Sequence, residues 1–575
     1  MSKNLLQITI GGPAGFGILR SGWLLGKAFS LIGLNVAAIS EYPSRIEGGH
    51  NYVDVCISKD PVGSKQPKSD VVVALDDLAV DRHIGRLEDD DILIYDSSIV
   101  KKELKGDRFA GLPFTRVARE RGFDEITRNT MALGATLYSL GMDVQPLKMA
   151  ISKAFGKKEV VEMNLKALEV GLELMREVYP GLKINTPIEI LKANGDPKYF
   201  ISGNEAVAVG AMAAGLTVYV AYPITPISPL LHYLVTKQEH GLLAYQLESE
   251  IAAILTGLGA SYAGARVLVG TSGPGFSLMA ESLGFAGMAE IPIVIVLAQR
   301  YGPSTGLPTH TGQGDLRFAM HASQGEFPRF IVAPGDVRET IYYTQVLLNL
   351  TEKFQVPGII LIDRCLAESY FTFDDIDGLE VDIDRGKIVE EVKGKYKRYE
   401  ITDDGVSPLA FPGTPNAVVR INSHEHDEEG ISSEDPKVAV SMSDKRLRKL
   451  KFMREEIKKY TPVKVYGDKE SKNAIIFWGS VKGPVLDAYR LLERDGISCR
   501  LVQILFFSPF PDSEVLDSLK GAEMIISVEN NATSQLVSVL REFVGVSVSY
   551  RVNKYDGRPF TPIDVYEAVM KVMRK

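Results

Sequence analysis

Apolar and polar positions along the first 185 residues follow two alternating periods. Short runs rich in β-branched residues, such as LLQITIGG and VVVALD, are separated by stretches with apolar residues every three or four positions, such as Ile18–Ile32 and Leu165–Tyr179. The short runs predict strands and the longer stretches predict amphipathic helices. Their alternation predicts an α/β unit over residues 1–185 with a mostly parallel sheet.

The segment of residues 200–384 repeats the α/β pattern with a more apolar character. It follows a polar, proline-marked joint at about Ile184–Glu205. Its strands, such as LTVYVAYP and IPIVIVLAQR, are almost uninterrupted apolar runs, and its helices, such as EAVAVGAMAAG, contain little charge. Strands of this kind are buried on both faces by covering helices. A second α/β domain with a parallel sheet is therefore predicted.

The last third of the chain divides into a charged stretch and a compact repeat. Residues 385–462 are rich in turns and end in the basic helix SDKRLRKLKFMREEIKKY, which predicts a structured linker without a core of its own. Residues 463–575 contain three strand–helix repeats, whose strands are AIIFWG, SCRLVQIL and MIISVEN. The predicted fold class of the whole chain is therefore multidomain α/β.

Composition narrows the classes of partner and compartment. The 575 residues are too many for one hydrophobic core, and a net charge of −8 gives no basic surplus for nucleic acid or an anionic membrane. No apolar run approaches the roughly 20 residues that span a bilayer. The N-terminal MSKNLLQITIGG enters a strand pattern without a signal-peptide core. We expect a cytoplasmic protein.

Cysteine and histidine usage predicts no metal site in this chain. Cys56, Cys365 and Cys499 are isolated, so the chain cannot ligate a four-cysteine iron–sulfur cluster, and such a centre would have to lie on another polypeptide. His424 and His426 alternate with acidic residues in HEHDEEG. That pattern is more typical of an exposed acidic turn than of a metal site.

Two glycine-rich loops in the first unit each allow two interpretations. The first βα turn, GGPAGFG at Gly11–Gly17, lacks GxGxxG spacing, so close helix–strand packing competes with a dinucleotide site. The second loop is either an interface or anion loop or a solvated turn. It places five residues before a strand: Arg45, Glu47, Gly48, Gly49 and His50.

Several unusual loops or helix starts follow buried strands in the second unit. They are Tyr222–Pro226, Gln246–Ala253, Gly270–Ser277, Gln299–Leu316 and Val332–Asp336. Because ligands of open parallel sheets bind where the strands end, we expect these loops to form one crevice. The three prolines of AYPITPISP stiffen the backbone that carries Thr225, although a rigid turn into the next helix explains them equally.

An acidic residue in this crevice is a candidate for proton chemistry. Glu250 opens a nearly uncharged helix, EIAAILTGLGASYAGA, whose small residues predict close packing on all sides. Its carboxylate is therefore expected at a buried wall, where acids are uncommon unless paired or functional. The alternative is an acid that only stabilises the helix N-terminus, a role that Glu248 fits equally.

An arginine at a strand end is a candidate anion ligand. Arg300 ends the apolar strand IPIVIVLAQR and opens a loop with few carboxylates to pair with it. This favours bidentate capture of a carboxylate or phosphate over an ion pair at the sheet rim. Four hydroxyl residues follow it in the loop: Ser304, Thr305, Thr309 and Thr311.

Together these motifs resemble those of the 2-oxoacid:ferredoxin oxidoreductases. The segments YPITP, ESEIAA, TSGPGFSLM, QRYGPSTGLPTHTGQGDL, HEHDEEG and VENNATSQL are similar to the α subunit. The first unit, with GGPAGFG and EYPSRIEGGHNYVDV, resembles the γ subunit fused in front. The resemblance covers essentially the whole chain. It implies a pyrimidine-binding thiamine diphosphate fold over residues 200–384 and a transketolase C-terminal-like fold over residues 463–575.

The resemblance also implies roles for individual residues. Glu250 matches the glutamate that hydrogen-bonds the cofactor's aminopyrimidine ring and promotes formation of the C2 ylid, with Glu248 as the alternative because LESEIAA offers two acids. Three residues of YPITP are implied at the cofactor: Tyr222, Pro223 and Ile224. Three others are implied at the 2-oxoacid, with the guanidinium at its C1 carboxylate: Thr225, Arg300 and Thr309.

The implied reaction is oxidative decarboxylation of a 2-oxoacid with coenzyme A, giving acyl-CoA and CO₂, with electrons passing through a 4Fe–4S cluster to ferredoxin. The chain has no GDG with a downstream asparagine, the usual diphosphate and Mg²⁺ signature, and no cluster cysteines. The resemblance places the diphosphate and Mg²⁺ site and the cluster on a separate β subunit. The chain is therefore expected to be inactive alone and to assemble as (αβ)₂.

Three alternatives stay open from the sequence. The expected substrate is 2-oxoglutarate, because the fused γ–α arrangement resembles enzymes for 2-oxoglutarate or for a broad range of 2-oxoacids, but pyruvate is not excluded. A transketolase-like or 2-oxoacid dehydrogenase-like component is a second form of thiamine chemistry. A non-catalytic assembly subunit would keep the α/β folds and only bind a partner.

Overall fold

The N-terminal unit is built on a β-sheet that it shares with the second unit. The structure is a computed structural model and describes residues 4–43 and 49–574. The strands of this unit lie in the order β6–β5–β4–β1–β3–β2, and two strands of the second unit, Tyr370–Phe373 and Tyr199–Ser202, continue the sheet beyond β2. The elements are β1 (Leu5–Pro13), α1 (Ile18–Ser30), β2 (Asn35–Glu41), β3 (His50–Ser58), β4 (Val71–Ala74), α2 (Asp77–His83), β5 (Ile92–Asp96), β6 (Phe109–Leu112), α3 (Phe114–Glu120), α4 (Arg128–Leu140), α5 (Gln145–Ala154), α6 (Lys158–Val178) and α7 (Ile188–Leu191).

Pairing in this sheet is mixed. The strands β1, β4, β5 and β6 pair in parallel, as predicted, whereas β3 is antiparallel to both β1 and β2. The prediction of a mostly parallel sheet missed this strand. The reason is the short connection from β2 to β3, which has no room for the crossover helix that a parallel neighbour requires.

The second unit has a doubly wound sheet, as predicted. Its six strands pair in parallel in the order β12–β13–β11–β10–β8–β9, and their apolar side chains alternate between two cores, one under α8, α9 and α13 and the other under α10 and α11. The elements are β7 (Tyr199–Ser202), α8 (Gly203–Ala213), β8 (Val218–Ala221), α9 (Ser228–Val235), β9 (Leu243–Gln246), α10 (Glu250–Tyr262), β10 (Val267–Thr271), α11 (Gly273–Met288), β11 (Ile293–Gln299), α12 (Leu316–His321), β12 (Phe330–Val332), α13 (Val337–Phe354), β13 (Pro357–Asp363), α14 (Arg364–Glu368) and β14 (Tyr370–Phe373).

The C-terminal unit is a third α/β sheet, in the order β15–β17–β16–β19–β20, with β15 antiparallel to β17. One of its strands, β18, instead pairs antiparallel with β12 of the second sheet. The helix α15 (Pro436–Ile457) lies in the segment that precedes this unit. The elements of the unit are β15 (Val463–Gly467), β16 (Asn473–Trp478), α16 (Lys482–Arg494), β17 (Arg500–Ile504), β18 (Phe506–Ser508), α17 (Asp512–Leu519), β19 (Met524–Glu529), α18 (Gln535–Val544), β20 (Tyr550–Asn553) and α19 (Pro562–Met573).

The segment between the second and third units packs onto its neighbours without a sheet. Its turn HEHDEEG is less exposed than predicted, because the His426 side chain is buried and its ring lies 3.9 Å from the ring of Tyr399. The predicted limits at residues 185, 200, 384 and 462 stay predictions, since β7, β14 and β18 each join the sheet of another unit. None of the helices that the structure describes combines the length and the apolar character needed to cross a bilayer.

Candidate functional site

Four of the five predicted loops meet at one stretch of the second sheet. They follow β8, β9, β10 and β11, which are neighbours in the strand order. The fifth loop, Val332–Asp336, follows β12 on the far side of β13, where Asp336 pairs with Lys482 of the C-terminal unit. The predicted crevice therefore contains four loops. The expectation of five was wrong because strand order decides which loops are neighbours, and the sequence does not give that order.

The structure separates the two acids of LESEIAA. Glu250 is the first residue of α10 and is 7% exposed, whereas Glu248 is exposed on the preceding turn. The helix begins there because the Ser249 hydroxyl accepts a hydrogen bond from the Ala252 backbone N–H at 3.2 Å. No residue within the described ranges donates a hydrogen bond to the Glu250 carboxylate. Glu250 is thus a buried carboxylate with free acceptor oxygens.

The glycines of GTSGPG make room for the acids of the site. A Cβ atom at Gly275 would lie 2.6 Å from Glu250 Oε1, so only glycine lets α11 approach this carboxylate. A Cβ atom at Gly273 would lie 2.6 Å from Oδ2 of Asp315, at the other side of the same helix start. The N-terminus of α11 is therefore in contact with two carboxylates, which its partial positive charge favours.

The helix that carries Glu250 is not closed on all sides. Ile251 is 47% exposed and Leu255 is 46% exposed, and Leu278 of the adjacent α11 is also exposed. The prediction of close packing on every face was wrong for this chain by itself, since Ile251, Leu255 and Gly259 of α10 are exposed. An exposed apolar face beside a buried carboxylate is typical of a surface that contacts another protein.

Arg300 is held at the end of β11 by a backbone contact. Its side chain is buried, and Nη1 donates a hydrogen bond to the carbonyl oxygen of Thr225 at 3.0 Å. Burial lowers the pKa of Arg300, and the charge of Asp315 opposes that shift. No carboxylate of the described chain lies within ion-pair distance, and Arg300 Nε has no hydrogen-bond partner there. The guanidinium, which stays protonated, therefore has donors left for an anion.

The YPITP loop presents Thr225 and also turns the chain into a helix. Thr225 is partly exposed, and its carbonyl is the group that holds Arg300. The Ile224 carbonyl accepts hydrogen bonds from the N–H groups of Ile227 and Ser228, at 2.9 and 3.1 Å, which leads into α9. The turn into the next helix is therefore present, and the presentation of Thr225 to a ligand stays a prediction. Tyr222 is exposed directly after the C-terminal end of β8, and Pro223 is partly exposed beside it.

The loop hydroxyls after Arg300 are not equivalent. The Thr309 hydroxyl donates to the carbonyl of Pro43 in the first unit at 2.8 Å, and the Thr311 hydroxyl donates to Asp363 at 3.1 Å. Ser304 and Thr305 are exposed. The hydroxyl protons of Thr309 and Thr311 are therefore used in hydrogen bonds to Pro43 and Asp363, and not at Arg300. The contact of Thr309 with another unit could not be read from the sequence.

Asp315 is a residue of this site that the sequence analysis did not single out. Its backbone N–H donates to the side-chain oxygen of Gln299 at 3.0 Å, which fixes it beside Arg300 at the start of α12. Burial raises the pKa of Asp315 to about 6, and the Arg300 charge opposes that rise. The available signal was an acid closing the GQGD turn after the arginine loop.

The first unit's two glycine loops have separate outcomes. A Cβ atom at Gly11 would lie 2.8 Å from Cε1 of His50, and one at Gly12 would lie 2.8 Å from Cδ1 of Ile18. Close packing therefore accounts for both glycines, which favours that interpretation of GGPAGFG over a dinucleotide site. In the second loop His50 opens β3, whereas three of the other residues lie outside the described ranges: Arg45, Glu47 and Gly48.

Family models match three successive parts of the chain. The model described as "Pyruvate ferredoxin/flavodoxin oxidoreductase" matches residues 7–174. "Pyruvate flavodoxin/ferredoxin oxidoreductase, thiamine diP-bdg" matches residues 209–445, which include the four loops of the site. "Pyruvate:ferredoxin oxidoreductase core domain II" matches residues 471–565.

Similar proteins match over almost the full length. The α subunit of 2-oxoacid:ferredoxin oxidoreductase 2 from Aeropyrum pernix is 34% identical and covers 99% of this chain and 98% of its own. The 2-oxoglutarate oxidoreductase subunit KorA of Mycobacterium tuberculosis is 28% identical, over 93% of this chain and 86% of its own. Among solved structures, the 2-oxoglutarate:ferredoxin oxidoreductase from Magnetococcus marinus, with 2-oxoglutarate, coenzyme A and succinyl-CoA bound, has a TM-score of 0.90 at 32% identity and covers 99% of both chains.

Proposed function

Since the chain belongs to the 2-oxoacid:ferredoxin oxidoreductase family as an α subunit, we propose that Glu250, Arg300 and Thr225 form its half of the active site. The reaction is the oxidative decarboxylation of a 2-oxoacid with coenzyme A, giving acyl-CoA and CO₂. The proposal rests on one observation: a buried, unpaired carboxylate and a buried arginine both lie at the carboxyl ends of strands of the second sheet.

The residues of this half-site fit thiamine diphosphate. Glu250 offers acceptor oxygens to a protonated ring nitrogen. The Ser272 hydroxyl, at the N-cap of α11, is buried without a hydrogen-bond partner among the described residues. Gly273 and Gly275 keep the helix start free of side chains. When bound, the cofactor supplies the carbon nucleophile and the electron sink that 2-oxoacid decarboxylation requires.

Glu250 holds and returns a proton in this proposal. Its carboxylate lies in a low-dielectric position against the first turn of α11, with no competing donor from the described chain. A carboxylate in this setting forms a strong hydrogen bond to a cationic or N–H donor of the cofactor's pyrimidine ring. Proton exchange by a positioned acid typically contributes 10²–10⁴-fold to a rate.

Arg300 and Thr225 orient the substrate. The Arg300 donors that are not used by the Thr225 carbonyl bind the C1 carboxylate of the 2-oxoacid. The Thr225 hydroxyl is presented beside the 2-oxo group by a loop that prolines make stiff, so that little reorganisation is needed during reaction. Both side chains act by binding and orientation. Thr309 stays a candidate for the substrate side, through its loop rather than its bonded hydroxyl.

A separate β subunit completes the site. We assign to it the 4Fe–4S cluster, because the three cysteines of this chain are buried and isolated. We also assign to it the cofactor diphosphate and Mg²⁺, because this chain has no GDG motif with a downstream asparagine. The exposed apolar residues of β9, α10 and α11 support a partner at this face: Leu243, Tyr245, Ile251, Leu255 and Leu278. Electrons leave through the β subunit to ferredoxin, and two such αβ pairs form the (αβ)₂ assembly.

The substrate proposed is 2-oxoglutarate. The Magnetococcus marinus structure contains 2-oxoglutarate and matches this chain over 99% of its length, and the Mycobacterium tuberculosis relative carries the same substrate in its name. The Aeropyrum pernix relative is named for 2-oxoacids in general, so a broader range is the second candidate.

The test is purification of the complex from its source, followed by a dye-reduction assay. Reduction of a low-potential viologen with coenzyme A is measured with pyruvate, 2-oxobutyrate and 2-oxoglutarate. We expect the activity to co-purify with a smaller, brown, cluster-containing partner and to be greatest with 2-oxoglutarate. A colourless chain that purifies alone, with no thiamine diphosphate and no dye reduction, would instead support a non-catalytic assembly subunit.

A further inference from the structure

The loop that begins with Arg300 is held by both neighbouring units. From the first unit, the Pro43 carbonyl accepts the hydrogen bond of the Thr309 hydroxyl at 2.8 Å. From the C-terminal unit, the Gly557 carbonyl accepts from the Thr311 N–H at 3.2 Å, and Asn530 accepts from the Gln313 N–H at 2.8 Å. The conformation of this loop therefore depends on residues outside the sheet that carries it.

One guanidinium connects the three units at this point. Arg558, between β20 and α19, has Nη1 at 2.5 Å from Nδ1 of His310, in the loop. Its Nε lies 3.0 Å from Oε2 of Glu41, at the end of β2 in the first unit. Glu41 is itself buried and anchored by an ion pair with the buried Lys65. Arg558 thus contacts both the Glu41 carboxylate of the first unit and His310, the residue that follows Thr309.

The charges around His310 agree with this arrangement. Burial and, after it, the Arg558 charge lower the pKa of His310 to about 4. The neutral ring can accept from the guanidinium, whereas a protonated ring would repel it. Burial alone would raise the pKa of Glu41, but Lys65 and Arg558 outweigh it and lower the pKa. The other charged groups that face His310 are Arg364 and Asp556.

The contact reaches Arg300 through the loop backbone. The Tyr301 N–H donates to the His310 carbonyl at 3.0 Å, so His310 is bonded to the residue that directly follows Arg300. Gly557 adds a steric limit, since a Cβ atom there would lie 3.0 Å from Cβ of His310. A shift of His310 is therefore passed to Tyr301 and to the guanidinium that binds the Thr225 carbonyl.

We propose that Arg558 is a positioning residue, which ties His310 to Glu41 and thereby holds the Arg300 loop in its substrate-binding conformation. This gives the first unit a part in substrate binding, through Glu41 and Pro43. The inference rests on the proposed function of Arg300 for its kinetic consequence, but the physical link between Arg558 and the loop does not depend on it.

The first test measures amide hydrogen exchange across residues 299–316 in the assembled complex. Arg558→Ala and Glu41→Gln are compared with Arg551→Ala, an exposed arginine of the same unit that has no ion pair with any described residue. We expect exchange of the loop amides to rise about tenfold or more in the first two variants and to stay unchanged in the third. Unchanged loop exchange in both Arg558→Ala and Glu41→Gln would overturn the proposal.

The second test separates positioning from general stability. In Arg558→Ala we expect the KM for the 2-oxoacid to rise about tenfold while kcat changes less than about threefold, because substrate orientation is lost and the proton chemistry is intact. Arg558→Lys keeps the charge but loses the guanidinium that contacts Glu41 and His310 at the same time. Its KM should therefore lie between that of the wild type and that of Arg558→Ala. A fall in kcat with unchanged KM would contradict the proposal. If the wild-type complex has no 2-oxoacid activity, the proposed function fails, and the exchange test still decides the role of Arg558.

Discussion

Arg300 donates a hydrogen bond from Nη1 to the carbonyl oxygen of Thr225 at 3.0 Å, across the end of the strand that lies between them. The two residues come from loops after β11 and β8, with β10 in the middle. The arginine therefore takes its position from the proline-rich loop. A stiff loop provides an acceptor that does not move, which lowers the entropy lost when the guanidinium binds an anion.

Loss of this guanidinium should weaken substrate binding more than turnover. We expect Arg300→Ala to raise the KM for the 2-oxoacid about a hundredfold, since the C1 carboxylate loses a charge-assisted bidentate partner. Arg300→Lys should recover the charge but not the fork geometry, and so only part of the affinity. Steady-state kinetics at saturating coenzyme A measures both. Arg317→Ala, on the exposed side of α12, is the control, and an equal effect there would refute the assignment.

The Thr225 hydroxyl can be removed without breaking its backbone contact with Arg300. Thr225→Ala keeps the carbonyl that accepts from Arg300, so we expect turnover to fall about tenfold with little change in thermal unfolding temperature. Thr236→Ala, an exposed threonine at the end of α9, should leave both unchanged. Parallel losses of turnover and stability in Thr225→Ala would show a structural role instead.

The two neighbouring acids should differ sharply. Glu250→Gln removes a buried carboxylate, and we expect activity to fall at least about a hundredfold, as for loss of a proton-transfer group. Glu248→Gln changes an exposed side chain and should alter activity less than about twofold. Thiamine diphosphate content, measured after gel filtration, checks whether Glu250→Gln still binds the cofactor. Similar activities for the two variants would exclude Glu250 as the proton-transfer residue.

Much of this site could be predicted because its signals are local. A buried strand followed by a polar turn identified the loops, and the helix that begins at Glu250 was predicted from its nearly uncharged run of small and apolar residues. What could not be predicted depends on contacts between distant segments. Strand order placed β12 away from the other loops, and nothing near Thr309 or Arg558 indicates their partners in the first unit.

The choice between Glu248 and Glu250 shows the same limit. Both acids stand before the same apolar helix in the sequence, and either one suits its N-terminus. Their burial differs because Ser249 fixes where the helix begins and because Gly275 lets α11 approach one side only. A motif could therefore name the pair, but only packing could distinguish its members.

Acid should destabilise the first unit through a histidine pair. His50 and His83 are buried, with 2.7 Å between their Nε2 atoms, and burial lowers the pKa of His50 to about 4 and that of His83 to about 3. The unfolded chain binds these protons near the ordinary pKa of about 6.5. Stability is therefore complete above pH 6.5 and is lost as the pH falls from 6.5 towards 4, by about 3 kcal/mol for His50 alone.

Thermal unfolding between pH 4 and 8 measures this loss. A His50→Gln, His83→Gln double variant should show a weaker dependence of the unfolding temperature on pH over that range. The exposed His240, changed to Gln, is the matched control and should follow the wild-type curve. An identical pH dependence in the double variant would assign acid sensitivity to other groups.

A buried ion cluster should stabilise the segment between the second and third units. Glu290 accepts hydrogen bonds from Lys445 at 2.7 Å and from Lys449, and all three side chains are at most 1% exposed. Glu290→Gln removes the counter-charge of two buried lysines, and we expect a loss of about 3–5 kcal/mol in the free energy of unfolding. Thermal unfolding of this variant and of the exposed Glu326→Gln gives the comparison. Equal unfolding temperatures would show that the cluster contributes little.

The strand β14 joins the first two units by more than a peptide linker. It pairs with β2 through Tyr370 and Phe371, and the Thr372 hydroxyl accepts from the Val36 N–H at 2.8 Å. The sheet of the first unit therefore has its long edge covered by residues that lie some 330 positions later in the chain. A truncated protein that ends before β7 would leave β2 as an open edge strand, ready to add strands from other molecules. Recombinant pieces of this protein should accordingly be cut elsewhere, or carry β14 with them, if they are to stay monodisperse.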